Sequence, residues 1–143
     1  MISKDSLYFT FLNASRMHYH RTHILLSKIG IYHGQPPLLF LLENKDGLSQ
    51  REIADILKTA PSTINVMLKR MEKSGILIRR KDQEDQRVSR VYLTDEGREV
   101  AEKAKKSIKA LSEECFYGFS PEEKDTMKLL LKKMGNNLKE KLE

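Results

Sequence analysis

A mainly α (α+β) fold is what this sequence predicts, and three observations predict it. Long stretches at both ends of the chain repeat apolar residues at spacings of three and four, the period of a helix with one buried face. Between them, residues 49–75 hold two short helical patterns separated by the break Lys58-Thr59-Ala60. Two strand-like runs follow, Ile76 to Arg80 and Ser89 to Thr94, with a polar tip between them. Two short helices, a tight break and a charged two-stranded hairpin together suggest a winged helix-turn-helix. The terminal helices would flank it.

Taken in order, residues 6–29 form a long helical candidate, with Tyr8, Leu12, Ser15, Tyr19, Thr22, Leu26 and Ile29 on one row. Two of those are hydroxyl residues, so the stripe is only partly apolar. Gly30 is a stop and Gly34 a second break. Gln35-Pro36-Pro37 opens a short helix, because a first turn has no intrahelical use for the amide that proline lacks. Leu38, Leu39, Leu41 and Leu42 surround that helix and mark it as buried, and Asn44 to Gly47 ends it as a turn.

Ser49 and Glu52 have capping-box spacing, in which each side chain satisfies a free amide of the first turn. Ile53, Ala54 and Leu57 form the inner face of the helix they start. Pro61 marks the first turn of the next helix, where Ala60 has no capping oxygen and Thr59 or a phosphate would have to supply one. On a wheel of about 100° per residue, Ile64, Met67, Leu68 and Met71 face inward. Ser62, Asn65, Val66, Lys69 and Lys73 face outward, and Gly75 ends the helix in a left-handed turn.

From Asp95 the period is again helical. Gly97, Ala101, Ala104, Ile108, Leu111 and Cys115 alternate spacings of four and three, a heptad-like seam whose small early members admit a close neighbour. Ser120 and Glu123 make a second capping box with Pro121 at the first position, and Met127, Leu131, Met134, Leu138 and Leu142 continue the pattern behind it. These terminal stripes are too long for the central module to cover. Interlocking with a second copy is the simplest solution; an intramolecular antiparallel pair is the alternative. The expected organisation is one domain, 1–143, in which residues 1–32 and 98–143 are dimerisation helices and 33–97 the winged lobe.

Charge narrows the partner. The 143 residues carry a net charge of +6, and residues 49–94 hold ten basic against six acidic side chains, whereas residues 95–143 hold eleven of each. The surplus therefore sits on the winged lobe, where an anionic polymer would bind. A single cysteine, Cys115, excludes an intramolecular disulfide framework, and the longest apolar run, Leu38 to Leu42, is far short of a bilayer span. With no secretory leader in Met-Ile-Ser-Lys-Asp, the expectation is a cytoplasmic chain with no membrane partner.

The outward face of the second short helix has what base recognition needs. Ser62 and Asn65 are hydrogen-bonding groups, Val66 suits a thymine methyl, and Lys69 can donate to guanine or phosphate. Thr63, Arg70 and Lys73 suit backbone contacts, which position without specifying. The alternative is an ordinary solvated face. In the hairpin, Arg79, Arg80, Lys81, Arg87 and Arg90 bracket Asp82, Glu84 and Asp85. A carboxylate at Asp85 can fix the direction of the Arg87 guanidinium, and an arginine so held suits the negative potential of a narrow minor groove.

Residues 75–97, with Asp82, Asp85-x-Arg87, Val91-x-Leu93-Thr94 and Gly97, resemble the wing signature of the MarR family of bacterial transcription regulators, and the helices on either side fit that family's size and order. The resemblance implies a ligand-responsive repressor that binds a pseudo-palindromic double-stranded DNA operator as a homodimer. Ser62, Asn65, Val66 and Lys69 would lie in the major groove, and Arg87, oriented by Asp85, in the minor groove. It also implies a pocket between the first, second and fifth helices for a small aromatic or anionic effector, which Tyr19, His23, Tyr32 and His33 could line or, alternatively, leave for the dimer interface. Two departures stand out: Lys58, where such motifs often have glycine, and Gln86, where the family often has a second arginine.

Nothing in the sequence argues for catalysis: there is no nucleophile–base pair, phosphate loop or paired carboxylate. Of the histidines only His20 and His23 share a helix face, and no Cys, Asp or Glu lies near them to complete a metal shell, so neither metal nor cofactor is expected. Cys115, in an apolar seam, is expected to be buried packing. The competing function is a winged-helix protein-interaction module that does not bind DNA.

Overall fold

Ser6 starts the first helix: its hydroxyl accepts a hydrogen bond from the Phe9 amide at 3.2 Å. In the computed structural model, which describes residues 3–142, nine elements follow. They are α1 (Leu7–Ser27), α2 (Pro36–Asn44), β1 (Leu48–Ser49), α3 (Gln50–Leu57), α4 (Pro61–Lys73), β2 (Leu77–Lys81), β3 (Ser89–Leu93), α5 (Asp95–Cys115) and α6 (Pro121–Lys139). The chain divides into two compact units, Met1–Lys109 and Ala110–Glu143.

The core of the first unit gathers side chains from every element of the winged lobe. Leu38, Leu39 and Leu42 of α2, Ile53 of α3, Ile64 and Leu68 of α4, Leu77 of β2 and Val91 of β3 are all fully buried. Each contributes roughly 1.5–3 kcal/mol relative to an exposed position. Leu26 and Thr22 are the buried residues of α1. Ile29 packs partly buried against the core, but the earlier part of the predicted row does not turn inward: Tyr8 is 57%, Leu12 43% and Tyr19 58% exposed.

The hairpin is antiparallel, with Leu77 opposite Leu93, Arg79 opposite Val91 and Lys81 opposite Ser89. A third strand, which the sequence pattern did not single out, joins it. Leu48 pairs with Val91 and Ser49 with Arg90, so the sheet order is β1-β3-β2. Two residues are too short to show a period of two, which is why β1 escapes pattern reading.

Four contacts seat α5 on the lobe. A Cβ on Gly97 would collide with the Ile76 carbonyl oxygen, so only glycine lets the helix approach this closely. Thr94 caps the helix: its hydroxyl accepts from the Gly97 amide at 3.0 Å and donates to the Gly75 carbonyl at 2.6 Å. Asp46 accepts from the Leu93 amide at 3.0 Å and from Arg98 at 2.7 Å, tying the α2–β1 turn to both β3 and α5. Lys105 then pairs with Glu43 of α2 at 2.6 Å.

In the second unit the Ser120–Glu123 capping box forms as expected, at 3.1 and 2.8 Å. The apolar residues of α6 are left open, with Leu129 68%, Leu130 56% and Leu138 58% exposed. Cys115 is exposed as well, contrary to the expected packing. Of the predicted α5 seam, Ala101, Ala104 and Leu111 are buried, while Ile108 is 38% exposed.

Candidate nucleic-acid interface

Two local devices bound α3, one at each end. The Ser49–Glu52 capping box forms, with the Glu52 amide on the Ser49 hydroxyl at 3.1 Å and the Ser49 amide on the Glu52 carboxylate at 2.7 Å. At the other end of α3 the chain turns through Lys58, whose φ of 50° puts it in the left-handed region where a side chain costs roughly 1–2 kcal/mol. Glycine is common at such a turn for that reason. Buried Ala54 leaves room at the crossing, and Ile64 and Leu68 fill the junction.

Helix α4 begins without a side-chain cap. Ala60 is its N-cap, and the Thr59 hydroxyl, a candidate cap from sequence, instead donates to the Leu57 carbonyl at 3.1 Å. Ser62, Thr63, Val66, Lys69, Arg70 and Lys73 are exposed along α4, with Asn65 partly so. Val66 is 51% exposed among these polar neighbours. Asn65 is not free-standing: its side-chain oxygen accepts from Arg79 at 3.4 Å.

At the hairpin tip, Arg87 donates through Nε to Asp85 Oδ1 at 3.0 Å and through Nη2 to Oδ2 at 3.2 Å. The Arg87 backbone amide also donates to Asp85 Oδ1, at 3.0 Å. The arginine side chain is nonetheless 91% exposed. Its direction is therefore set while its remaining N–H groups face solvent. The Arg87 side chain, then its backbone amide, hold the Asp85 carboxyl below the usual carboxylate range.

Arg90 lies three residues away and is differently placed. It donates to Asp82 Oδ2 at 3.2 and 3.0 Å and to the Gly47 carbonyl at 3.0 Å. It also pairs with Glu52 at 3.6 Å. This guanidinium knits the α2–β1 turn, α3 and the hairpin together. Asp82 is held below its ordinary range by the Glu84 backbone amide and then by Arg90, and Arg90 is correspondingly raised. Sequence inspection grouped Arg79 and Arg90 with the other hairpin cations. Alternation along β2 places Arg79 on the face of buried Leu77, a signal that distinguishes it from Arg80.

The residues expected to line an effector pocket fall into separate settings. Tyr19 and His33 contact each other with ring centroids 4.5 Å apart. Tyr32 instead faces α4, where the Arg70 guanidinium lies 5.5 Å from its ring centroid. With Gln35 and Val66 they border a shallow groove beside the exposed face of α4. His23 is exposed on α1. Among the described residues no group of three or more His, Cys, Asp or Glu could hold a metal ion, and no helix is long and apolar enough to cross a membrane.

A helix pair with an exposed polar second helix, backed by a hairpin that presents an oriented arginine, defines a winged helix-turn-helix protein. The MarR family model matches residues 31–89. The transcriptional regulator HosA of Escherichia coli O127:H6 (strain E2348/69 / EPEC) is 32% identical over 95 residues, which cover 66% of this chain and 70% of HosA. The chain belongs to the MarR family of winged-helix transcriptional regulators, which is not a family of enzymes. The uncharacterized HTH-type transcriptional regulator YdgJ of Bacillus subtilis (strain 168) is 33% identical over 109 residues, 76% of this chain, and the match spans just 66% of YdgJ's length. The crystal structure of the S. aureus MepR–DNA complex shares the fold, with a TM-score of 0.77 at 24% identity, covering 96% of this chain and 99% of that one.

Proposed function

We propose that this chain is a ligand-responsive repressor that binds a pseudo-palindromic operator as a homodimer. The observation that carries the DNA reading is Arg87, exposed at the hairpin tip yet oriented by a two-pronged bond to Asp85. A free surface arginine would lose rotamer freedom on binding; this one has lost much of it already. It enters the minor groove while Ser62, Asn65, Val66 and Lys69 read base edges in the major groove, and Thr63, Arg70 and Lys73 hold phosphates. MepR, which shares the fold, was crystallised with DNA.

Uncovered apolar side chains support the homodimer. Leu7 and Leu142 are each 87% exposed, and Leu129 and Leu130 lie open on α6. Exposed apolar surface on this scale is what a partner chain buries. A small aromatic or anionic effector acts through Tyr19, His23, Tyr32 and His33. Tyr32 touches Arg70 on α4, so occupancy there bears directly on the DNA-reading helix. A change in lobe angle then takes the two α4 helices out of register with half-sites about one helical turn apart.

Arg87→Ala tests the central claim. Operator fragments selected from a random pool are titrated with wild type and variant across a salt series. Weaker binding by about tenfold and a salt slope shallower by about one phosphate-equivalent contact are expected. Unchanged affinity and slope would sink the wing assignment and favour the protein-interaction module.

A further inference from the structure

Arg79 spans the gap between the sheet and α4. Its Nε and Nη2 donate to the two Glu72 carboxylate oxygens at 3.3 and 3.5 Å, and its Nη1 donates to Asn65 Oδ1 at 3.4 Å. Only 19% of the Arg79 side chain is exposed, so the guanidinium is packed in place. Glu72 lies seven residues after Asn65, two turns along the same side of α4.

The chemistry fixes which way the Asn65 amide points. A guanidinium has five N–H donors and no acceptor, so the side of the amide that meets it must be the oxygen. The NH2 group is then turned away from Arg79. An asparagine free to rotate can offer either end to a base edge, or both at once to adenine. Asn65, with its oxygen engaged, presents a donor.

We propose that Arg79, anchored by Glu72, is a positioning residue that sets the base specificity of Asn65, restricting it to major-groove acceptors such as purine N7, guanine O6 or thymine O4. The inference rests on the DNA-reading role of Asn65 proposed above. A base pair that presents a donor at the same place, cytosine N4 for example, meets the Asn65 NH2 with another donor and is rejected. Arg79 itself touches no base. It acts through the amide it holds.

Selection from a random DNA pool by the full-length wild type, Asn65→Ala, Arg79→Lys and Glu72→Gln tests this, with thermal unfolding run on each variant. Lysine keeps the charge and loses the planar fork; Glu72→Gln keeps the shape and loses the anionic anchor. Wild type should disfavour donor-presenting bases by about tenfold at one position per half-site. Asn65→Ala should abolish that preference. Arg79→Lys and Glu72→Gln should reduce it to about threefold or less at that position alone, leaving the preferences at the others intact.

Loss spread evenly over all positions, or a preference that survives both Arg79→Lys and Glu72→Gln, overturns the proposal. So does an Asn65→Ala variant that selects the same sequences as wild type. Failure of wild type to enrich any sequence is a separate result and overturns the DNA-binding reading beneath it. Should Arg79→Lys fold poorly, Glu72→Gln decides the question from α4's own surface.

Discussion

Arg87 and Arg90 lie on one hairpin, three positions apart, and their surroundings assign them opposite roles. Arg87 is tethered by a single neighbour and remains 91% exposed; Arg90 is drawn into bonds with Asp82, Gly47 and Glu52. Every carboxylate in these contacts is held below its ordinary value: Asp85 chiefly by the Arg87 side chain, Asp82 chiefly by the Glu84 amide, Glu52 chiefly by the Ser49 amide. A depressed folded-state pKa contributes stability that is present above the unfolded value, roughly 4, and is lost as pH falls through the folded value. Thermal unfolding midpoints should therefore be level from about pH 8 to pH 5 and fall only below about pH 4. A step near neutral pH would show that a different group governs the lobe. The acidic partner of Arg87 was legible two residues away in the sequence. The bond from Arg90 to Gly47 was not, because Gly47 lies 43 residues earlier.

At the level of elements, the junction of β2 with α5 has the least tolerance. Alanine favours a helix over glycine by roughly 1 kcal/mol, so propensity alone would make Gly97→Ala stabilising. The added methyl, however, meets the Ile76 carbonyl, which already accepts from the Thr94 amide at 3.1 Å. Main chain locked at both ends cannot yield as a flexible side chain would. The clash wins, and Gly97→Ala should lower stability by about 1–3 kcal/mol in chemical denaturation. A variant as stable as wild type would mean that α5 shifts at little cost. Both capping boxes and the hairpin were readable because each is a relation among residues close in sequence. The pairing of β1 was not, since Leu48 and Ser49 become a strand only when Val91 and Arg90 arrive beside them.

At the level of the whole molecule, the proposed homodimer rests on the open apolar faces. Leu130 is 56% exposed on α6. Leu130→Glu should leave the far-ultraviolet circular dichroism unchanged, halve the mass seen in sedimentation velocity, and weaken operator binding by at least about tenfold through loss of the second half-site. A variant that still sediments as a dimer would exclude this part of α6 from the interface. Tyr8, Leu12 and Cys115 belong to the same question. Their spacing signals an apolar stripe but does not say whether the cover comes from this chain or from another.

The sequence by itself determined the order of the helices, the two capping boxes, the hairpin with its Asp85–Arg87 pair, and the glycine at 97. All of these follow from interactions reaching a few residues or from a period that repeats along one element. Only the tertiary structure decided which arginine stays exposed, that Tyr32 faces Arg70 and Tyr19 faces His33, and that Asn65 turns its oxygen toward Arg79. Those outcomes depend on how separate elements converge. A side chain's hydrogen-bonding partners are set by the atoms packed around it, and local spacing does not reveal them.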